Sequence, residues 1–334
     1  MKRILYLGYY IKKMDWKKFN LFLSFASQKT NKSKIALLID AFLSVFKYNI
    51  SLLEYFQFRF FEQNKEQRKT WAGTGFMFEY QLKMNPKSER HILDDKRKFY
   101  KEYKDFFIHK VATLDELKKY PEIANTMLAN PSGKIVFKVA DGNCGIAVQV
   151  EKANQFDSKT IVSFMEKNQF DLVEEFVIQH SEINKLSPSG VNTVRIFTQL
   201  DKNNEVILLG CRQRISVNSN VDNMAAGNMA SFIDEHSGKI IDAGVYSDIT
   251  KNEETIHPIT GISIIGFQVP FWNETVAMVK EAAKLHPQNR SIGWDIVITE
   301  NGPGFIEGNH DWCKLLWQLP AKKGLKHLIE PFNN

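Results

Sequence analysis

The hydrophobic pattern changes period several times along the chain. Between residues 18 and 67 apolar positions recur at three- and four-residue intervals, as in "IALLIDAFLSVF", which predicts helices. A polar, Gly- and Lys-bearing passage from about 64 to 90 interrupts that rhythm. "LDDKRKFYKEYKDFF" (93–107) and "LDELKKYPEIANTML" (114–128) then predict two helices, the second running across Pro121. "KIVFKVA" (134–140) alternates as a strand does, and is followed by "DGNCG" and a second strand, "IAVQV". A helix around 158–167 leads to the strands "FDLVEEFVI", "NTVRIFTQL" and "VILLGCRQRIS". "FWNETVAMVKEAAKLH" (271–286) carries a helical stripe at Trp272, Val276, Val279 and Ala283. The pattern closes on "GWDIVITENGPGFIEGN" (293–309), two strands about an Asn-Gly turn. The class this predicts is α+β, with mainly antiparallel sheets and helices packed on them.

The closing hairpin holds chemistry as well as pattern. Side chains alternate faces along a strand, so Asp295, Val297 and Thr299 share one face, as do Phe305, Glu307 and Asn309. Folding back at the Asn-Gly turn brings Asp295 within about one position of Glu307 to Asn309. Two carboxylates that close repel unless something compensates them. Mg²⁺, which takes oxygen ligands, suits two carboxylates plus an amide and phosphate oxygens. An ordinary surface hairpin with solvated polar residues is the other reading.

A phosphate-binding end is suggested upstream. Lys138 runs off a strand into a loop with Gly142 and Gly145, where backbone N–H groups could cradle phosphate oxygens. The loop is neither a Walker A sequence nor a GxGxxG, and taken alone it reads more simply as a β-hairpin with a flexible tip. Arg195 and Arg214 lie on strands among apolar residues, and an inward arginine needs an anion, from a carboxylate or a ligand phosphate.

Charge and composition narrow the field. The chain has 334 residues, 43% apolar and 25% charged, as a globular protein does. Its three cysteines (Cys144, Cys211, Cys313) are far apart, against a disulfide framework or zinc site and for a reducing compartment. Neither a cleavable signal peptide nor a membrane-spanning run is evident, which predicts a cytoplasmic protein. Residues 1–90 hold 17 Lys/Arg against 7 Asp/Glu, in a chain whose total is +6. With Tyr48, Tyr55, Phe56, Phe58, Phe60 and Phe61 nearby, this region is read either as a basic face around an aromatic core or as a surface for a partner or for peripheral contact at the inner membrane face. No nucleic-acid motif occurs, and no Ser/His/Asp or Cys/His arrangement stands out among the eight histidines.

Taken in order, Lys96, Lys138 before its Gly loop, "EEFV", Arg195, Arg214 and Asp295…Glu307-x-Asn309 resemble the ATP-grasp superfamily, and most closely its sugar-transfer-associated group. The most specific pieces are "DNMAAG", "HPITG", "VPFW" and "IGWDIVITENGPGFIEGN", and "SLLEYFQFRFF" is similar to the group's helical lead-in. The resemblance implies two α+β subdomains clasping ATP, over residues 91–176 (lid with Gly loop) and 177–334 (metal and substrate side), after a helical basic region at 1–90. It places Lys96 and Lys138 on the phosphates, with 142–145 as the closing loop. Glu174, Glu175, Phe176 and Val177 would form the inter-subdomain segment along the adenine, and Glu182 would hold the ribose, though the spacing also allows Ser181. Asp295, Glu307 and Asn309 would hold Mg²⁺, Arg195, Arg212 and Arg214 would stabilise the transferring phosphoryl group, and Asn192 and Asn223 would lie near the substrate. Two departures stand out: one Gly in "DNMAAG" where a pair is common, and Gly293 where several members carry a phosphate-contacting Arg.

The activity so implied is an ADP-forming carboxylate–amine ligase working through an acyl phosphate, joining an amino acid or other amine to a sugar acid in surface polysaccharide synthesis. A phosphotransferase of the same fold and a non-catalytic ATP-binding protein are the alternatives. The acid, the amine and the oligomeric state are not legible.

Overall fold

The computed structural model describes residues 14–142 and 148–333, together with Gly8 and Lys12. Its amino-terminal module holds helices α1 (Trp16–Thr30), α2 (Lys34–Tyr48), α3 (Leu52–Gln57) and α4 (Lys65–Lys69). Local sequence sets their ends. Asp15 and Ser33 accept N–H groups of the first turns, Ser51 and Glu54 form a capping box, and Asn31 and Asn49 take the left-handed C-cap conformation. The helices enclose Phe19, Phe22, Tyr55, Phe56, Phe58, Phe60, Phe61 and Trp71. The aromatic run is therefore interior, with only Tyr48 half-buried, and does not form a surface.

The passage 64–90 is not a polar connection. Helix α5 (Thr74–Met84) runs through it and buries Met77, Tyr80 and Met84, with the Tyr80 hydroxyl donating to Ser291 Oγ at 2.9 Å. The glycine that makes it look loop-like is steric: a Cβ at Gly75 would come within 2.0 Å of Asn49 Oδ1. The helix expected over 93–107 breaks at Asp95, between α6 (His91–Asp94) and α7 (Lys96–Tyr103). That expected over 114–128 also divides, into α8 (Leu114–Lys119) and α9 (Pro121–Leu128), because Pro121 has no N–H to continue a helix and starts one instead.

Two antiparallel sheets come next. The smaller contains β1 (Val111–Thr113), β2 (Lys134–Lys138), β3 (Val148–Lys152) and β4 (Leu172–Glu175), in the order β1-β4-β2-β3. One face buries Ile135, Phe137 and Val173 with residues of α8, α9 and α10 (Thr160–Asn168). The other face carries Val136, Lys138, Leu172 and Glu174 in register. Strand β4 stops at Glu175, short of the expected "FDLVEEFVI". The chain then crosses over, and the His180 N–H donates to the Ile298 carbonyl at 2.7 Å before α11 (Ser181–Leu186).

The larger sheet contains β5 (Val194–Leu200), β6 (Val206–Ile215), β7 (Met229–Ile233), β8 (Val245–Tyr246), β9 (Ser291–Thr299) and β10 (Gly302–Asn309), ordered β10-β9-β5-β6-β7-β8. Val194, Ile196, Trp294 and Ile296 pack with Val279 and Ala283 of α12 (Trp272–Leu285) and with Phe99 and Tyr103 of α7. On the opposite face Phe197 and Leu209 pack with α5 and with α13 (Lys314–Gln318). Ile108 joins the sheets. It lies so close to the hairpin that a Cβ at Gly304 would come 2.6 Å from its Cγ2, and the next residue, His109, touches Glu174 of β4. No helix among the described residues is long and apolar enough to cross a membrane.

Candidate active site

The hairpin puts two acids opposite each other by an irregularity. Thr299 pairs with Gly302 and Ile296 with Phe305, a register that would set Ile306 across from Asp295. A bulge between Phe305 and Glu307 absorbs Ile306 and places Glu307 opposite Asp295 instead. The expectation that Phe305 and Glu307 share a face thus fails: Phe305 stacks on Trp294 in the core, 4.9 Å between ring centres. Asn309 pairs with Gly293, and its side-chain nitrogen lies 3.4 Å from both the Gly293 carbonyl and Glu307 Oε1.

The two acids have different surroundings. Arg195, directly across from Asp295 on β5, donates Nε to Oδ1 at 2.5 Å and Nη2 to Oδ2 at 2.6 Å. Arg214 adds Nη1 to Oδ2 at 3.0 Å. Burial would raise the Asp295 pKa, but the two guanidinium groups outweigh it and hold the carboxyl down to about 2. Glu307 has no such partner. Burial and the charge of Asp295 raise its pKa, and the positive charges of Lys96, Arg195 and Lys138 only partly oppose them. Lys138 comes from β2 of the small sheet and Lys96 from α7, which packs on the larger sheet, and both act electrostatically on Glu307.

On that side Lys138 ends β2 and donates to Glu174 Oε2 at 2.6 Å; His109 Nε2 lies 3.2 Å from the same oxygen. Burial of Glu174 would raise its pKa, yet Lys138 and His109 hold it down to about 2. Lys96, at the start of α7, bonds the Gly142 carbonyl through Nζ and the Ala140 carbonyl through its backbone N–H, tying helix to loop. Gly145 lies outside the described residues. Glu175 accepts from the Lys110 N–H at 3.1 Å, the Phe176 N–H donates to Lys134 at 3.2 Å, and Val177 is buried. Glu182 is exposed and paired with Lys185 at 2.6 Å. Val148 and Val150 pair with Lys138 and Val136, so these valines, 41% and 47% exposed, lie on the Lys138 face of the small sheet. They form an apolar strip beside Lys138.

Several expected residues serve the scaffold. Arg212 is fully buried, donating to the carbonyls of Trp317 and Cys211 and lying 4.3 Å from the Phe232 ring centre. Burial pushes its pKa down to about 9. It shares a face with Arg195 and Arg214, but α13 covers it, so it is not brought to the acids. Asn192 is also committed: its amide nitrogen donates to Gln179, Ser187 and Gly190, and its oxygen accepts from the Ser216 N–H. Asn223 caps the short 3₁₀ turn at Met224–Ala226. Asp222, one residue before it, escaped the sequence reading. It accepts from Thr193 N and Oγ1 at 2.7 and 2.6 Å and pairs with Arg214 Nη2 at 2.7 Å. Its position at the head of "DNMAAG" was the available signal. Arg214 is thereby held by two acids, while its Nε is buried without a partner. Gly293 is required by packing, since a Cβ there would come 2.6 Å from Trp312 Cβ.

Two antiparallel sheets with helices packed on them are consistent with the α+β fold of ATP-grasp proteins. The match extends to a particular group. The family model described as sugar-transfer associated ATP-grasp covers residues 76–334, and the chain belongs to that family. Among solved structures it is similar to D-cycloserine synthetase DcsG (10% identity, 75% of this chain and 72% of that one, TM-score 0.43). D-alanyl-alanine synthetase A from Vibrio cholerae is similar as well (11%, 71% and 60%, TM-score 0.42). So is biotin carboxylase from Campylobacter jejuni, in a complex with β,γ-ATP (14%, 79% and 54%, TM-score 0.46). The chain thus spans little more than half the length of some of these proteins. No curated protein sequence matches it.

Proposed function

We propose that the protein is an ATP- and Mg²⁺-dependent carboxylate–amine ligase whose acid substrate is a sugar acid of a surface polysaccharide or its precursor. The observation that carries this is Glu307: a carboxylate opposite Asp295, without a cationic hydrogen-bond partner, in reach of the charges of Lys96, Lys138 and Arg195. Such a group calls for a cation, and the surrounding cations call for a polyanion. A magnesium nucleotide supplies both.

The donor set fits the metal on chemical grounds. Among the described residues no three His, Cys, Asp or Glu side chains converge, so a metal would rest on the Glu307 carboxylate, the Asn309 amide and an oxygen of Asp295, with phosphate and water completing the shell. Bound there, Mg²⁺ would neutralise charge on the terminal phosphates. The rest falls to this chain's own side chains. Lys138 and Lys96 hold the phosphates, and Val136, Val148 and Val150 offer a surface to the base. Arg195 and Arg214, fixed by Asp295 and Asp222, stabilise the charge that develops on the γ-phosphoryl group in flight. A substrate carboxylate oxygen attacks the γ-phosphorus as the bond to ADP breaks. The amine nitrogen then attacks the acyl carbon, phosphate leaves and the amine gives up a proton. No covalent protein nucleophile is needed.

A cavity of about 300 Å³ opens between α1 and the "DNMAAG" loop, lined by Lys17, Lys18, Lys251, Asp15, Asp248 and Tyr246 among others. A polar recess with three lysines and two aspartates beside the loop that carries Asp222 could hold the hydroxyls and the carboxylate of a sugar acid. The test is product analysis with MgATP and paired sugar acids and amino acids. ADP with an amide supports the ligase. ADP with a stable phosphate ester would make the protein a kinase, and tight ATP binding with no turnover on any pair would make it a binding protein.

A further inference from the structure

Helix α2 is apolar on both sides. Leu37, Ala41 and Val45 are buried against the aromatic core, while Ile35, Leu38, Ile39, Phe42 and Leu43 face solvent, Ile35 at 71% and Leu43 at 60% exposure. At roughly 100° per residue those five side chains cover an arc of about 140°. A helix apolar all round is normally enclosed, and a contiguous outer stripe of this kind marks a surface that something covers.

Charge indicates what covers it. Lys34 stands at one end of the stripe and Lys47 at the other; both are exposed and neither is paired with an acid among the described residues, Lys34 Nζ donating only to the Ser24 hydroxyl at 2.9 Å, whereas Lys32 is held by the Phe61 carbonyl at 2.9 Å. The helix's one acid, Asp40, is turned away and held by Arg68 at 2.7 and 2.8 Å. The first 90 residues carry 17 basic against 7 acidic side chains. A second copy of the chain fits poorly, because antiparallel pairing of two α2 helices sets Lys34 against Lys47 and parallel pairing sets each against itself. A phosphate-bearing surface neutralises both ends at once.

We infer that α2 lies flat on an anionic phospholipid surface, its stripe in the acyl boundary and its terminal lysines among the headgroup phosphates. The contact belongs to this stripe and not to the aromatic run at 48–61, and it is independent of the nucleotide site.

The experiment is co-sedimentation of the full chain with vesicles of phosphatidylcholine alone and of phosphatidylcholine mixed with phosphatidylglycerol. Wild type should partition onto the mixed vesicles at least about tenfold more strongly, and added salt should weaken but not abolish the interaction. Ile39→Ser with Leu43→Ser should lower partitioning about 100-fold, roughly tenfold per aliphatic side chain removed from lipid. Both positions are exposed, so the thermal melt should not move. Lys34→Glu with Lys47→Glu should erase the preference for the anionic vesicles. The inference is overturned if wild type ignores both vesicle types, if the serine variant binds undiminished, or if sedimentation velocity shows a lipid-free dimer that the serine variant dissolves.

Discussion

Replacing Glu307 by Gln separates stability from function in opposite directions. The carboxylate sits opposite Asp295, and burial together with that neighbouring charge raises its pKa. A folded-state pKa above the unfolded value means that ionisation opposes folding: Glu307 favours the folded state below the unfolded pKa, and that contribution is lost as pH rises through the folded pKa. Near neutral pH, with no metal present, the charge is therefore a liability, and the isosteric amide removes it. The expected gain is about 1 kcal/mol, the scale of relieving a functional-site conflict. With roughly 2.1 cal/mol/K of unfolding entropy per residue, a chain of this length unfolding as one unit would melt about 1–2 °C higher. Addition of MgATP should raise the melting temperature of wild type by several degrees and that of the variant hardly at all, and ADP formation should fall at least about 100-fold. Calorimetric melts at neutral and acid pH, with and without MgATP, check each part. The advantage of the variant should vanish near pH 4, where wild-type Glu307 is itself protonated. A variant less stable than wild type at neutral pH, or equally stabilised by MgATP, would show that Glu307 already has a partner and is not waiting for a cation.

Three further substitutions probe the surroundings. Asp295→Asn should cost about 3–5 kcal/mol by leaving Arg195 and Arg214 without their shared anion; because the wild-type carboxyl is held down to about 2, its contribution is present above pH ~4 and lost as pH falls toward 2, so acid denaturation curves of variant and wild type should converge there. Arg212→Met should lower stability by about 2 kcal/mol, through the Trp317 carbonyl left unpaired, with kcat and KM for ATP unchanged, whereas Arg214→Met should reduce kcat; a selective kcat loss in the Arg212 variant would return that residue to the site. Gly293→Ala should destabilise by about 2 kcal/mol or more, read as a lower denaturation midpoint, because its Cβ would overlap Trp312.

Features governed by period and local chemistry were legible in the sequence. Alternation through 293–309 and the Asn-Gly turn placed Asp295 near Glu307, and the alternating "KIVFK" put Lys138 at a strand end beside a loop. Long-range contacts were hidden. Whether Ile306 or Glu307 faces Asp295 depends on a one-residue bulge, which leaves no mark in the alternation. Arg212 and Arg214, two residues apart on β6, are equivalent by period and differ only because α13, a hundred residues later, covers one of them. Gly73 and Gly75 read as loop signals, yet they admit the backbone and side chain around Asn49 and Ile50 against the start of α5. Asn192 looked free to meet a substrate and is spent holding its own loop.

What separates this site from a surface cluster of charge is that most of its cations are already held. Arg195 rests on Asp295, Arg214 on Asp295 and Asp222, Lys138 on Glu174, and Lys96 on a loop carbonyl. A ligand must compete with those partners for the same donors, so a single carboxylate or monophosphate gains little, while a triphosphate reaches several of them together. In the reaction we propose, fixing the donors beforehand would also remove the reorganisation that water demands at the moment of phosphoryl transfer. The exception is Glu307, which has no cation of its own. Its repulsion with Asp295 is only partly offset by Lys96, Arg195 and Lys138, and in the reading we propose a metal arriving with the nucleotide would bring the missing charge at the same step as the phosphates. Under the proposed function, acid and lysines would thus favour the same ligand, a metal–nucleotide complex, for opposite electrostatic reasons.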